Sequence, residues 1–307
     1  MKTYRCTNGS ATILALLLSA VMVTISVGFN WLVKEHLKAA EGLRAKTEAA
    51  LHATSTYETL IYCLVSGTVT NREVVLYKGE EFLGLKTIPL NGQRVKTNKG
   101  IGLSVQDSNG MFSITHPEPA VLRRLIGIVA PENKNANVIA NSLMDWIDTD
   151  SFNRLDGAED SFYRFEGRPY TARNYPIQYI EELSLIRGMD GDLFRKLLPH
   201  ITLLPNTGFN PNTATDEVLM AYLDIDKGAV QALREYMKDR PIRSNGELFG
   251  LVGRNLISSE AVYFVPSSFW DIKVYAGQPR DMYSIQVGVL LRAWLHIPYS
   301  IIYWKEG

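Results

Sequence analysis

The stretch GSATILALLLSAVMVTISVGFNWLVK, residues 9–34, constrains how the rest of the chain can be built. From Ser10 to Val33 it carries no charge over 24 residues. As a helix this run rises about 36 Å, more than the roughly 30 Å of a bilayer's hydrocarbon core. A secretory signal has a shorter apolar region, about 7 to 15 residues, ending in a small-residue cleavage site. Ser26-Val27-Gly28 imitates such a site, but the run is too long for that class. Lys2 and Arg5 precede it and no acid occurs before Glu35, so the positive-inside tendency puts the N-terminus in the cytoplasm, with Lys34 and Lys38 as a weaker counterweight. The expectation is a single-pass inner-membrane protein with residues 10–33 in the bilayer and the C-terminal domain in the periplasm.

Composition narrows the class. The chain has 307 residues, 46% hydrophobic, with 32 basic and 32 acidic side chains, so no global basic field exists to collect phosphate backbones. Nucleic acid is therefore not an expected partner. Cys6 and Cys63 lie on opposite sides of the apolar run and cannot pair within one chain, which leaves Cys63 a lone thiol. The five histidines are scattered, and no H-E-x-x-H, G-x-S-x-G, P-loop or G-x-G-x-x-G occurs, so the sequence carries no sign of an enzyme.

The charges of the short head precede Gly9, and the apolar run starts immediately after it. This order resembles the leader of type IV pilin-like proteins, which a dedicated peptidase cuts after the glycine, keeping the helix on the mature chain. Ser10 would be the new N-terminus. Most such proteins carry Glu at the fifth mature position, where it offsets a neighbour's terminal amine; here that position is Leu14. A lone buried carboxylate is costly, so its absence fits a subunit with no neighbour above it, as at a filament tip. A rival reading, a secreted enzyme with a cleaved signal, predicts a mature chain starting near Phe29.

Beyond the membrane, Leu37, Ala40, Leu43, Thr47, Ala50, Thr54, Tyr57, Ile61 and Leu64 recur every three to four residues, which predicts one helix running to about Val65 and ended by Gly67. REVVLY (72–77), IGLSVQD (101–107) and MFSIT (111–115) read as strands, the last two as a hairpin around Asn109-Gly110. Helical segments follow from about Pro119, and AVYFVP, WDIKVYA, YSIQVGVLLRAWL and YSIIYW return to strand. This order predicts an α+β domain carrying a large inserted all-α domain. The expected divisions are 1–9 leader, 10–33 membrane helix, 34–118 and 256–307 the α+β domain, and 119–255 the insert. SLIRGMDGDLFRKLLPHIT (184–202) and AYLDIDKGAVQALREYMKD (221–239) each read as a helix-hairpin-helix unit. Such units can bind DNA, but this pair lacks a Gly-x-Gly turn, and residues 212–240 carry a net charge of −2. In the membrane helix, Ala11, Ala15, Ser19 and Gly28 are the small residues on which close packing with sister helices would rest.

The strongest chemical signal is DWIDTDSFNRLDGAEDSFYRFEG, residues 145–167, with a net charge of −5. Such a cluster repels itself unless a cation or an arginine sits within it, and calcium takes six to eight oxygen ligands from carboxylates and carbonyls. Asp148, Asp150, Glu159 and Asp160 are the candidate ligands, with Asp145 and Asp156 behind them. A solvated acidic loop with Asp and Ser caps is the alternative. It is not an EF-hand, since Phe152 and Asn153 occupy the positions of the third ligand and the glycine.

Taken together, the uncharged helix after Gly9, LMDWIDTD, GAEDSFY, GRPYTARNYPIQYIEELSLIRGM, LLPHITLLP and NPNTATDEVL resemble, in that order, the minor pseudopilins of the type II secretion system, K class. The resemblance implies a pilin-like α+β fold, a long N-terminal helix on an antiparallel sheet, with a large helical insertion. It further implies calcium at the acidic stretch, processing by the prepilin peptidase with methylation, and assembly with other minor pseudopilins at the tip of a periplasmic pseudopilus. A DNA-binding minor pilin of a competence or type IV pilus system is the alternative. Ser10 stands where a bulkier apolar residue is commoner, and residues 67–118 match only loosely.

Overall fold

The computed structural model describes residues 9–253, 262–279, 282–292 and 296–307. The charged head before Gly9 and the expected boundary at 255/256 lie outside them. Helix α1 (Gly9–Ser66) runs unbroken for 58 residues, roughly 87 Å. Its first forty residues are almost wholly exposed, and only from Ala49 onward does one face enter a core, through Ala49, Ala53, Tyr57, Leu60, Ile61 and Leu64. Those spacings of three and four make an apolar stripe one helix face wide. Leu37 and Leu43, expected to continue that stripe towards the membrane, are solvent-facing. The segment from Ala11 is long and apolar enough to cross a membrane, and none of it is buried by the rest of the chain. Ala11, Ala15 and Ser19 share one exposed face there; Leu14 is also exposed. Gly28, nine residues after Ser19 and so half a turn away, lies on the opposite side.

A small antiparallel sheet follows, of β1 (Thr68–Val69), β2 (Glu73–Val75) and β3 (Thr87–Pro89), with the short helix α2 (Gly79–Phe82) between β2 and β3. The main sheet has the order β10-β9-β8-β5-β4, antiparallel throughout. It is built from β4 (Val95–Lys96), β5 (Gly102–Asp107), β8 (Phe269–Ala276), β9 (Tyr283–Leu291) and β10 (Tyr299–Glu306). Strict alternation puts Trp270, Ile272 and Val274 of β8 and Ile285, Val287 and Val289 of β9 on the face that α1 covers. Tyr57 of α1 meets Trp304 of β10 edge to face at 5.0 Å. Cys63 is a free, buried thiol in this core, and burial pushes its pKa up.

Between β5 and β8 the chain forms a second layer with its own core. It contains β6 (Phe112–Ser113), α3 (Pro119–Val129), α4 (Ala136–Ile147), α5 (Asp160–Phe165), α6 (Gly191–Leu197), β7 (Ile201–Thr202), α7 (Asp216–Leu223), α8 (Lys227–Asp239) and α9 (Asn245–Val252). Phe112 and Ile114 belong to this second core, so the seam between the layers lies close to Asp107 rather than at residue 118.

The expected hairpin at Asn109-Gly110 does not form. The Asp107 carboxylate accepts the Asn109 N–H at 3.2 Å and folds Ser108–Gly110 into a buried 3₁₀ turn. A Cβ at Gly110 would lie 2.4 Å from the Thr213 carbonyl oxygen, so glycine serves close approach to the helical layer, not a β-turn. The chain then crosses over, and β6 pairs in parallel with β7. Among the described residues of AVYFVP, 262–266, only Val262 makes a bridge, to Phe209, because Val262 and Phe264 pack against the helical layer. The segment expected to start the first helix-hairpin-helix unit is a 3₁₀ stretch, Ile180–Leu185. Glu182 turns inward there and accepts the N–H groups of Gln178 and Tyr179 and the Arg173 guanidinium at 3.0–3.1 Å. The second unit, α7 and α8 around Asp224–Asp226, has the expected form.

Asp107 joins the two layers. Its carboxylate has no solvent exposure and accepts five hydrogen bonds. Oδ1 takes the Asn109 N–H and, before β8, the Ser267 N–H at 2.8 Å and hydroxyl at 2.7 Å. Oδ2 takes the Thr213 hydroxyl at 2.8 Å and the Asn210 amide at 3.3 Å, both from the NPNTA stretch that precedes α7. Burial pushes this carboxyl above its ordinary value, and the donors from Ser267, Thr213 and Asn109 pull it back.

Candidate metal centre

The acidic stretch folds between the end of α4 and the start of α5. Ile139, Ala140, Leu143 and Trp146 fix α4 in the helical core, and Trp146 meets Tyr163 of α5 edge to face at 5.4 Å. Asp148 caps the C-terminus of α4, and Glu159 precedes α5 at its N-cap, where the helix dipole favours negative charge. In between, Phe152 N–H donates to Asp150 Oδ1 at 2.8 Å, Glu159 N–H to Asn153 Oδ1 at 2.9 Å, and the Asn141 amide to the Leu155 carbonyl at 2.7 Å. Arg187 reaches in from beyond the 3₁₀ stretch to the Gly157 carbonyl at 2.9 Å.

This folding brings Asp148, Asp150 and Glu159 together, each with a carboxylate oxygen within 4.8 Å of the others. That spread fits oxygens around a cation with bonds of about 2.3–2.6 Å. Glu159 is only 2% exposed, and neither of its oxygens has a hydrogen-bond partner; Asp148 Oδ1 and Asp160 Oδ1 are buried and unpartnered too. Burial, then the charges of Asp145, Asp148, Asp150 and Asp160, raise the Glu159 pKa from 4.5 to about 7. A buried carboxylate facing four others with no donor is a site that a hard cation would stabilise. Three carboxylates supply hard oxygens and leave positions for carbonyls and water, the donor set of calcium rather than zinc.

The remaining expected ligands have other roles. Asp145 is fully buried and faces Arg154, which donates its main-chain N–H at 3.2 Å and its Nη1 at 2.7 Å. Asp156 is exposed, with a left-handed backbone (φ 60°), and lies outside the group. Asp160 pairs through Oδ2 with Arg164 at 3.2 Å, its Oδ1 is buried and unpartnered, and it lies outside the Asp148–Asp150–Glu159 group. Sequence reasoning missed Arg154 and Gly157 as organisers. Arg154 also binds Asp148 Oδ2, and a Cβ at Gly157 would stand 1.9 Å from Asp145 Oδ2. The signal available was an arginine and a glycine inside a run of seven acids.

In the hairpin turns Asp190 accepts the N–H groups of Asp192 and Leu193, and Asp226 that of Ala229, so these three amides already face a carboxylate.

The sequence model of the family described as "Type II secretion system (T2SS), protein K" matches residues 102–206, which include the layer seam and the whole acidic centre. The type II secretion system protein K of Pectobacterium carotovorum subsp. carotovorum is 28% identical over 254 residues, 76% of this chain and 75% of that protein. Its counterpart in Pseudomonas aeruginosa is 26% identical over 241 residues, 73% of this chain and 70% of that one. Over these spans the chain is similar to the type II secretion system protein K family. A solved protein K, in the crystal structure of the GspK-GspI-GspJ complex from enterotoxigenic Escherichia coli, matches with a TM-score of 0.53 at 19% identity, covering 90% of this chain and 99% of that one. At that identity the match speaks to the fold, which is the pilin-like helix-on-sheet arrangement with an inserted helical domain. In that arrangement the α1 helix and the sheet are the pilin-like part and the α3–α9 layer is the insertion.

Proposed function

We propose that this protein K works without catalysis, as the subunit that starts or ends a periplasmic pseudopilus and so serves protein export. The prepilin peptidase cuts after Gly9, leaving Ser10 as the mature N-terminus, and α1 then stays in the inner membrane with the folded domain in the periplasm. Calcium, held by Asp148, Asp150, Glu159 and Asp160, ties the end of α4 to the start of α5. One observation carries this reading. α1 is a single continuous helix whose exposed apolar half leads directly into the half that forms the core, so the anchor and the folded domain are one rigid piece. A cleaved signal would have to cut through that helix. The inserted layer, as large as the sheet domain, favours a terminal place, because it would obstruct uniform stacking. The E. coli relative was crystallised with GspI and GspJ, which makes the corresponding minor pseudopilins the partners to test.

When the full chain is co-expressed with the other minor pseudopilins of its own system and extracted in detergent, it should co-purify as a stable stoichiometric complex. Elution of the full chain alone, with correctly folded partners present, would overturn the assembly role.

A further inference from the structure

Among the described residues, Arg154 is the cation paired with the carboxylates Asp145 and Asp148 of the acidic centre. Its Nη1 contacts Asp145 Oδ1 at 2.7 Å and Asp148 Oδ2, while Asp148 Oδ1 is buried and unpartnered, and Asp148 also places a carboxylate oxygen within 4.8 Å of one each from Asp150 and Glu159. Asp148 thus both contacts the guanidinium and belongs to the Asp150–Glu159 group. Arg164, by comparison, is 71% exposed and pairs only with Asp160 at the rim. We propose that Arg154 is a tethered cation sharing the centre with a divalent ion. It holds the Asp145–Asp148 half of the loop in place when no ion is bound, and its charge lowers the centre's affinity for the ion, so that calcium stays exchangeable. This rests on the reading of the centre as a calcium site. Coulomb interaction over the few ångströms separating the two sites is strong in a partly buried cluster, so the sum of fixed charges governs affinity. A residue that merely positioned Asp148 would act with the opposite sign.

The test is calcium titration of the full chain in detergent by calorimetry. Arg154→Gln should bind calcium about tenfold more tightly or better, and Arg154→Lys should stay within a few-fold of the parent. Arg164→Gln should change little. Asp145 is fully buried, so Arg154→Gln alone could fail to fold without calcium. The pair Asp145→Asn with Arg154→Gln removes both charges together and should restore near-parental affinity, while Asp145→Asn alone weakens binding. Affinities that follow net charge across this set support the proposal. Weaker or unchanged binding in Arg154→Gln, or a double variant that binds calcium far more weakly than the parent, overturns it and leaves a calcium site in which Arg154 only positions Asp148. A parent chain that takes up no calcium overturns the calcium reading itself, and this inference with it.

Discussion

Replacing Asp107 by alanine should cost the folded domain about 3–5 kcal/mol, the range for breaking a buried charged network, because two main-chain N–H groups, two hydroxyls and an amide lose their acceptor at once. The effect should be global, since the donors come from both layers: Ser267 leads into β8, and Asn210 and Thr213 lead into α7. Asp107→Asn keeps the volume but turns an amide hydrogen towards one set of donors, and should fall between. Thr213→Val removes one donor and should cost about 1 kcal/mol. Because all act on one carboxylate, the double variant Asp107→Ala with Thr213→Val should lose little more than Asp107→Ala alone. Thermal unfolding of the four proteins checks this; additive losses would mean that Thr213 and Asp107 stabilise the seam separately.

The second large effect is the response to calcium, whose size depends on pH. With calcium at a hundredfold over its Kd, linkage adds about 2.7 kcal/mol of stability, on the order of 5–10 °C in Tm for a domain of this size. Glu159→Gln and Asp150→Ala should remove most of that shift. In chelator, Glu159 has a folded pKa near 7 against an unfolded value near 4.5, so the fold binds this proton more tightly than the unfolded chain. Its contribution is then fully present below about pH 4.5 and is lost as pH rises through about 7. With calcium, the carboxylate must be ionised to act as a ligand, so the calcium-induced shift should grow over the same interval. Tm measured from pH 5 to 7.5 should therefore fall in chelator while the gain from calcium rises, and Glu159→Gln should flatten both trends. A calcium shift that is independent of pH, or that survives in Glu159→Gln, would place the ion elsewhere.

Much of the architecture was legible because periodicity reports burial directly. The three-to-four spacing up to Leu64 announced the long helix, although its buried face runs through Ala49 and Ala53 rather than the expected Ala50 and Thr54, and the last three stretches read as strands after the insert form β8, β9 and β10. The failures came where a local signal served a distant contact. Asn109-Gly110 has the composition of a tight hairpin, yet the glycine is there for the Thr213 carbonyl, more than a hundred residues on. Asp107 looked like the polar end of a strand, and nothing nearby shows that five donors converge on it. In the acidic centre, charge density revealed the cluster but could not divide it. Asp145 and Asp148, three residues apart at the end of α4, both pair with Arg154, but only Asp148 belongs to the group with Asp150 and Glu159. That division depends on how the loop doubles back, which charge spacing does not encode.

An assembly subunit built on α1 as its spine must keep that helix whole. N-terminal sequencing of the chain purified from inner membranes should give a mature chain that begins at Ser10 and retains the apolar half of α1; a mature chain beginning near Phe29 would contradict this.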